Sequence, residues 1–394
     1  MRNLLIFLYF VFLVLNTSEN TQAQTNTDSV KISILTCSPG LELYSLFGHS
    51  AIRVQDPSKK LDIVFNYGIF DFNTPNFYPK FVRGKLKYNL GVNDFKGFYG
   101  FKAAYKRHKQ SVVEQELNLS SKSKHKLLKA LEENYRPENR YYLYDFIFKN
   151  CSTLIRDILE EDIVDQVQYK DAELTSDLSF RDQLNIYMEK TPWIYTGINL
   201  ALGYAVDKKA THYQKMFLPD FLKSGFDNTL ITENGISHKL VSKENIILSS
   251  KAKQKPTPWY LHPLFIFGLI AFIGLLLTLS SLKSNKRFAF FDILVFGCTS
   301  LFGFVLLFLW FFTDHLSMRP NFNILWALPI HLPLITVLFR KNRPVWVKNY
   351  FKYHSIFILL VIAAWPILPQ SLPYTILPFV VLILIRSIYN ARRS

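Results

Sequence analysis

Apolar and polar positions are distributed unevenly along the 394-residue chain. From about residue 30 to 250 they alternate over short stretches. From Trp259 onward they fuse into apolar runs over roughly 259–282, 289–312, 322–339, 355–368 and 373–389. Several of these approach the roughly 20 residues that carry a helix across a bilayer. The C-terminal part is therefore expected to be an all-α transmembrane bundle of about five helices. The last two runs are shorter and carry Pro366, Pro369, Pro373 and Pro378, which suits kinked spans or one re-entrant pair.

Before the apolar runs the pattern is α+β. Period-two stretches predict strands over Val30–Leu35, Ser50–Val54, Leu61–Tyr67, Leu86–Leu90 and Val112–Leu119. Ser121–Tyr135 reads as a helix with Leu127, Leu128 and Leu131 on one face. Asn150 is placed to cap a second helix, whose Leu154, Ile155, Ile158 and Leu159 form an apolar stripe.

Charge sets the expected topology. Lys283, Lys286 and Arg287 follow the first run. Arg340, Lys341, Arg343, Lys348 and Lys352 follow the third, and Arg386, Arg392 and Arg393 lie at or beyond the end of the fifth. The positive-inside rule places these in the cytoplasm and residues 24–258 and 313–321 outside. The net charge of +16 is thus explained by loops flanking apolar runs, not by a nucleic-acid-binding face. Residues 1–23 read as an export signal: Arg2, an apolar core from Leu4 to Leu15, and a small-residue site at Thr21-Gln22-Ala23. An uncleaved anchor would export the next segment equally. The domains expected are a signal over 1–23, a periplasmic domain over 24–250 and a membrane domain over 251–394.

Three cysteines occur, Cys37, Cys151 and Cys298, too few for a disulfide scaffold. Cys37 and Cys151 could pair in an oxidising periplasm. Alternatively, Cys151 is a reactive thiol. It stands just inside a predicted helix start, where backbone N–H groups and the helix dipole favour a thiolate. His49 lies where the Gly48 turn enters a strand, with Ala51 and Arg53 on the same face. A strand-borne His beside a helix-N-terminal Cys is the arrangement of thiol acyl chemistry. Asn66, on the neighbouring strand, is the candidate to orient the imidazole. Arg53 is a candidate substrate-binding residue, as are His315, Asn321 and Asn323 in the external loop before the third run. Polar groups at such a depth are costly unless they bind something. No spacing suggests a zinc site, and no cofactor is implied.

The order of these motifs resembles circularly permuted papain-like (NlpC-like) domains, including the lecithin retinol acyltransferase type. A closer resemblance is to the bacterial Lnb family of lipoprotein N-acyltransferases. It is carried by Thr36–Gly40, Phe47–Arg53, Asn66–Phe72, Asn150–Asp157, Phe180-Arg181, Met216–Asp220, Asp314-His315 and Asn321–Trp326. The resemblance implies a multi-pass inner-membrane enzyme with a permuted papain-like periplasmic domain. It would move an acyl chain from a phospholipid, through a Cys151 thioester, to the amine of a diacylated lipoprotein. Two other readings stay open: a cysteine hydrolase (cell-wall peptidase or phospholipase), and a non-enzymatic membrane assembly factor.

Overall fold

A computed structural model describes residues 29–161, 163–169, 177–250, 255–284, 286–338, 340 and 342–393. The expected export signal lies outside the described residues. The strands are β1 (Lys31–Cys37), β2 (His49–Asp56), β3 (Leu61–Ile69), β4 (Lys87–Asp94), β5 (Val112–Leu117), β6 (Tyr141–Leu143), β7 (Gln166–Gln168), β8 (Leu230–Glu233), β9 (Ile236–Lys239) and β10 (Val241–Leu248). The N-terminal helices are α1 (Phe77–Val82), α2 (Phe101–Arg107), α3 (Ser121–Tyr135), α4 (Cys151–Glu160), α5 (Phe180–Met188), α6 (Pro192–Ala201), α7 (His212–Lys215) and α8 (Pro219–Asn228). The C-terminal helices are α9 (Pro263–Ser284), α10 (Ala289–Phe311), α11 (His331–Leu338), α12 (Val345–Ala364) and α13 (Leu377–Arg393).

A seven-stranded antiparallel sheet in the order β10-β5-β1-β2-β3-β4-β6 organises the N-terminal domain. Alternation gives it two buried faces. One presents Ile32, Ile34, Ile52, Val54 and Phe65 to Leu127 and Leu131 of α3 and Ile155, Ile158 and Leu159 of α4. The other buries Leu35, Cys37, Ala51 and Val64 beneath Phe95 and Phe101. The strands expected near residues 30, 50, 61, 86 and 112 are all present, and α3 has the predicted bounds. The three-stranded sheet β7-β8-β9 was not anticipated, because its strands of three and four residues are too short to show a period.

Among the described residues, four helical stretches are long and apolar enough to cross a membrane: Pro263–Ser284, Ala289–Phe311, Val345–Ile367 and Tyr374–Arg392. Two expectations need correction. The fourth span begins well before residue 355, because Lys348 and Lys352 interrupt its apolar pattern while Val347 and Phe351 stay buried. Long basic side chains can follow an apolar helix to a polar boundary. The third expected span, 322–339, is not one continuous helix. It is a short 3₁₀ turn (Phe322–Leu325), an irregular stretch through Pro329, and the eight-residue α11. Proline there removes a backbone donor and breaks the helical ladder. The segment still joins the two ends of the bundle. Asn321 and Asn323 bond to carbonyls of residues 199–201, whereas Arg343 donates to Asn390 Oδ1 near the end of α13 (2.6 Å).

The domain is clamped to the bundle by buried polar groups. Arg181, 1% exposed, donates to Asp207, to Asn199 Oδ1 and to the carbonyls of Leu202 and Gly203. Gln370 donates to Leu202 O and Asn321 Oδ1, and accepts from Phe322 N–H. Thr196 meets Thr375 at 2.8 Å inside the protein, and at the surface Trp193 Nε1 donates to Leu261 O. Saturated buried networks of this kind hold one geometry, because any displacement strands a desolvated donor. At the opposite end, Arg386 and Asp292 form a buried ion pair at 2.6 Å.

Candidate active site

The site is assembled where the first residue of β2 meets the first residue of α4. Asn150 caps α4. Its Oδ1 accepts from Ser152 N–H (2.8 Å) and Thr153 N–H (3.0 Å), and Thr153 Oγ1 accepts from Asn150 N–H in return. The Asn150 amide also donates to the carbonyls of Phe146 and Phe217, locking the helix start to the loop before α8. Ser152 Oγ then meets Ser50 Oγ at 3.1 Å inside the protein. This buried pair sets the N-terminus of α4 level with the start of β2.

Gly48 delivers His49 to that position. Its φ is +78°, and a Cβ there would lie 2.6 Å from Cys37 O. Only glycine meets both demands at low cost. Gly48→Ala is expected to destabilise the protein by about 1–3 kcal/mol. Thermal unfolding of the detergent-solubilised chain, read alongside Cys151 alkylation, checks this: both should fall together, since the same turn aims His49.

His49 and Asn66 lie on the same side of the sheet. His49 Nε2 donates to Asn66 Oδ1 at 3.2 Å. The direction follows from the Asn66 amide, which donates to Asn93 Oδ1 (2.8 Å) and to Val64 O (3.4 Å) and so turns its carbonyl oxygen to the imidazole. With Nε2 engaged, Nδ1 is the ring nitrogen left for the thiol. Tyr105 stacks beside the His49 ring, with centroids 6.4 Å apart and planes within 10°.

The thiol and imidazole perturb each other. Burial alone would raise the Cys151 pKa. The His49 charge, its hydrogen bond, Ser50 N–H and the Ser152 hydroxyl overcome this and lower it below the ordinary thiol value. Burial would likewise lower the His49 pKa, but the Cys151 charge and the hydrogen bonds to Cys151 and Asn66 raise it above the ordinary imidazole value. Opposite shifts on two touching groups favour a thiolate–imidazolium pair. Cys37 behaves differently. It is fully buried opposite His49 in the β1–β2 register, and burial pushes its thiol up. Both cysteines are free thiols.

The structure thus brings Cys151, His49 and Asn66 together, but not the expected substrate-binding residues. Arg53 is spent inside the fold. Its guanidinium pairs with both Asp62 oxygens and with Glu114, each at 2.8 Å, and lies 3.4 Å over the Phe95 ring. Sharing a strand face with His49 placed it over the core, not over the thiol. Arg53→Ala should therefore cost about 3–5 kcal/mol of stability, as removing one partner strands a buried charge. A variant that kept its melting temperature and lost only substrate affinity would contradict this placement.

Asn321 and Asn323 are engaged in the fold as well. Both are buried, and they bond to each other, to the carbonyls at the end of α6, to Gln370 and to Trp326 Nε1. Their polarity serves the domain clamp. His315 Nε2 bonds to Phe81 O at 3.0 Å, which ties the external loop to α1. Sequence reasoning missed Asn93, Ser50 and Tyr105. Asn93 had one available signal, since it shares β4's face with Gly91, the partner of Asn66.

Fold and site together define a membrane-anchored α/β protein carrying a Cys–His–Asn cluster. The Lnb N-terminal periplasmic domain matches residues 17–185, and the Lnb transmembrane domain matches residues 254–394. The chain belongs to the Lnb family. It is accordingly a membrane protein with a periplasmic N-terminal domain, and its family suggests a function related to lipoprotein N-acylation. No curated protein and no solved structure matches it.

Proposed function

We propose that this protein is an inner-membrane lipoprotein N-acyltransferase with Cys151 as nucleophile and His49 as acid and base. The organisation proposed is a signal over residues 1–23, a permuted papain-like thiol domain over 24–250 and a multi-pass membrane domain over 251–394. The observation that carries the reading is the Cys151–His49–Asn66 geometry at the N-terminus of α4.

In the first half-reaction the Cys151 thiolate attacks an ester carbonyl of a membrane phospholipid. The tetrahedral oxyanion collapses, the C–O bond breaks, and the His49 imidazolium protonates the departing glycerol oxygen. The products are an acyl thioester and a lysophospholipid. In the second half-reaction the α-amine of a diacylated lipoprotein's N-terminal cysteine attacks the thioester. Neutral His49 takes the amine proton, the C–S bond breaks, and the Cys151 thiolate returns with His49 again protonated. Asn66 holds the ring through Nε2 in both halves. The Asn150 cap occupies the N–H groups of Ser152 and Thr153. The amide of Cys151 itself, at the first helical position, is the natural oxyanion donor.

The test is product analysis. Purified full-length protein is incubated in proteoliposomes with acyl-labelled phospholipid and a diacylated lipopeptide. Label recovered as N-acyl lipopeptide, with equimolar lysophospholipid, is the expected result. Label recovered only as free fatty acid would make the protein a hydrolase, with water as the acceptor.

A further inference from the structure

The segment after β3 is unusual for a soluble surface. Phe72, Tyr78 and Phe81 are exposed by 62%, 72% and 49%, and Val82 lies beside them. These side chains cluster around Phe77, whose ring lies 4.9 Å from Phe72, 5.3 Å from Tyr78 and 6.3 Å from Phe81. Contiguous exposed apolar surface marks an interaction site. The charge is as one-sided as the hydropathy. Lys80, Arg83, Lys85 and Lys87 fall within eight residues, and no acidic residue occurs between Asp71 and Asp94.

The position of this patch says what covers it. Arg83 O accepts from Asp314 N–H at 3.0 Å, and Phe81 O is bonded by His315. A Cβ on Gly84 would lie 3.3 Å from the Asp314 side chain. Asp314 and His315 follow α10 by only a few residues, and Phe311 and Phe312 at its end are exposed. The aromatic patch is thus pinned to the mouth of an apolar, membrane-length helix. That is the level at which aromatic side chains sit between headgroups and acyl chains, and at which basic side chains meet lipid phosphates.

A line of rings leads inward from the patch. Phe77 packs on Phe70 (5.9 Å), Phe70 on Tyr88 (5.3 Å), and Tyr88 stacks on Tyr144 (4.3 Å). Tyr144 lies over Gly68 and within electrostatic reach of the Cys151 thiolate. The series runs from the patch to Tyr144 without a charged side chain among its members.

We propose that residues 72–87 form an interfacial lipid-binding surface, with its aromatics in the periplasmic leaflet and its basic residues on phospholipid phosphates, that leads the donor acyl chain to Cys151. The insertion stands on the contacts above, and the delivery role rests on the acyl-transfer reading. The surface explains how a half-buried thiol meets a lipid ester that does not leave the bilayer. The domain clamp fixes the height of the thiol, and this patch brings the lipid up to it.

The two parts are tested separately on the full chain. For insertion, Tyr78→Cys is labelled with an environment-sensitive fluorophore in a Cys151→Ser/Cys298→Ser background and reconstituted in phosphatidylglycerol–phosphatidylethanolamine vesicles. Lipids bearing a shallow nitroxide should quench the probe, and aqueous iodide should not. Quenching by iodide alone would overturn the proposal, whatever reaction the protein catalyses. For delivery, Phe72→Glu/Phe81→Glu should slow Cys151 acylation by vesicle phospholipid by about tenfold or more. Its alkylation by water-soluble iodoacetamide should be unchanged. Unchanged acylation would overturn the delivery role. A Cys151 that never becomes acylated, in wild type as in the variant, would instead sink the catalytic reading and leave the quenching result standing.

Discussion

Cys151→Ala is expected to abolish N-acylation, lowering turnover by about four orders of magnitude or more, as removal of a covalent nucleophile does. The variant should still enter the membrane and keep its melting temperature. Cys151 is half-buried at the helix start, and the cap that holds α4 is made by Asn150, Ser152 and Thr153, not by the sulfur. The same replacement must also remove the acyl-enzyme. Intact mass of wild-type protein incubated with phospholipid alone should show one added acyl chain, released by neutral hydroxylamine. Continued N-acylation by the alanine variant would rule out Cys151 as nucleophile.

The second large effect concerns His49. Cys151 titrates below the ordinary thiol range and His49 above the ordinary imidazole range. Both shifts favour the thiolate–imidazolium pair over the neutral pair. As pH falls through the lowered Cys151 pKa, the thiolate is protonated and reactivity is lost. As pH rises through the raised His49 pKa, the thiolate survives but the acid for the leaving alcohol is lost. Alkylation should thus reach its plateau at a lower pH than an ordinary thiol, whereas acyl transfer from phospholipid should follow a bell. In His49→Ala the alkylation midpoint should move up toward about 8.5, the range of an unassisted thiol, because burial is then opposed only by the Ser50 N–H and the Ser152 hydroxyl. Acyl transfer should fall by about a thousandfold. An alkylation profile unmoved by the substitution would show that the imidazole does not ionise the sulfur. Asn66 acts one step further out, and its loss should change turnover more than the position of the thiol midpoint.

Gly48 and Arg53 show two ways in which residues of one short motif can matter. Both residues belong to the same stretch as His49. Gly48 acts on the site by turning the chain, through a positive φ and a close approach to Cys37 O. Arg53 acts on the sheet by joining β2 to Asp62 of β3 and Glu114 of β5. A residue-type argument cannot divide these roles, since an arginine near a candidate histidine suits a ligand as well as a buried ion pair.

Asn321 and Asn323 make the same point from the membrane side. Polar groups beside an apolar run read as a binding site, because desolvation there is costly without a partner. The partner turned out to be the protein itself. The carbonyls of Leu200 and Ala201, more than 100 residues earlier in the chain, accept from the Asn321 amide. These internal bonds meet the cost of desolvation without a lipid headgroup.

Local chemistry settled what depends on neighbours in sequence. Alternation fixed strands β1 to β5, the Asn150 cap fixed the start of α4, and apolar run length separated a membrane part from a polar one. Each is a short-range preference of a few residues, so each is legible in one dimension. Tertiary structure decided the rest: that Ser50 and Ser152 lock His49 beside Cys151, that Asn93 aims Asn66, and that Arg53 points into the core. It also broke the third apolar run at Pro329 and brought α1 down to the end of α10. These outcomes depend on which distant groups satisfy one another once water is excluded, and hydrogen bonds between residues 100 apart leave no period in the sequence that could announce them.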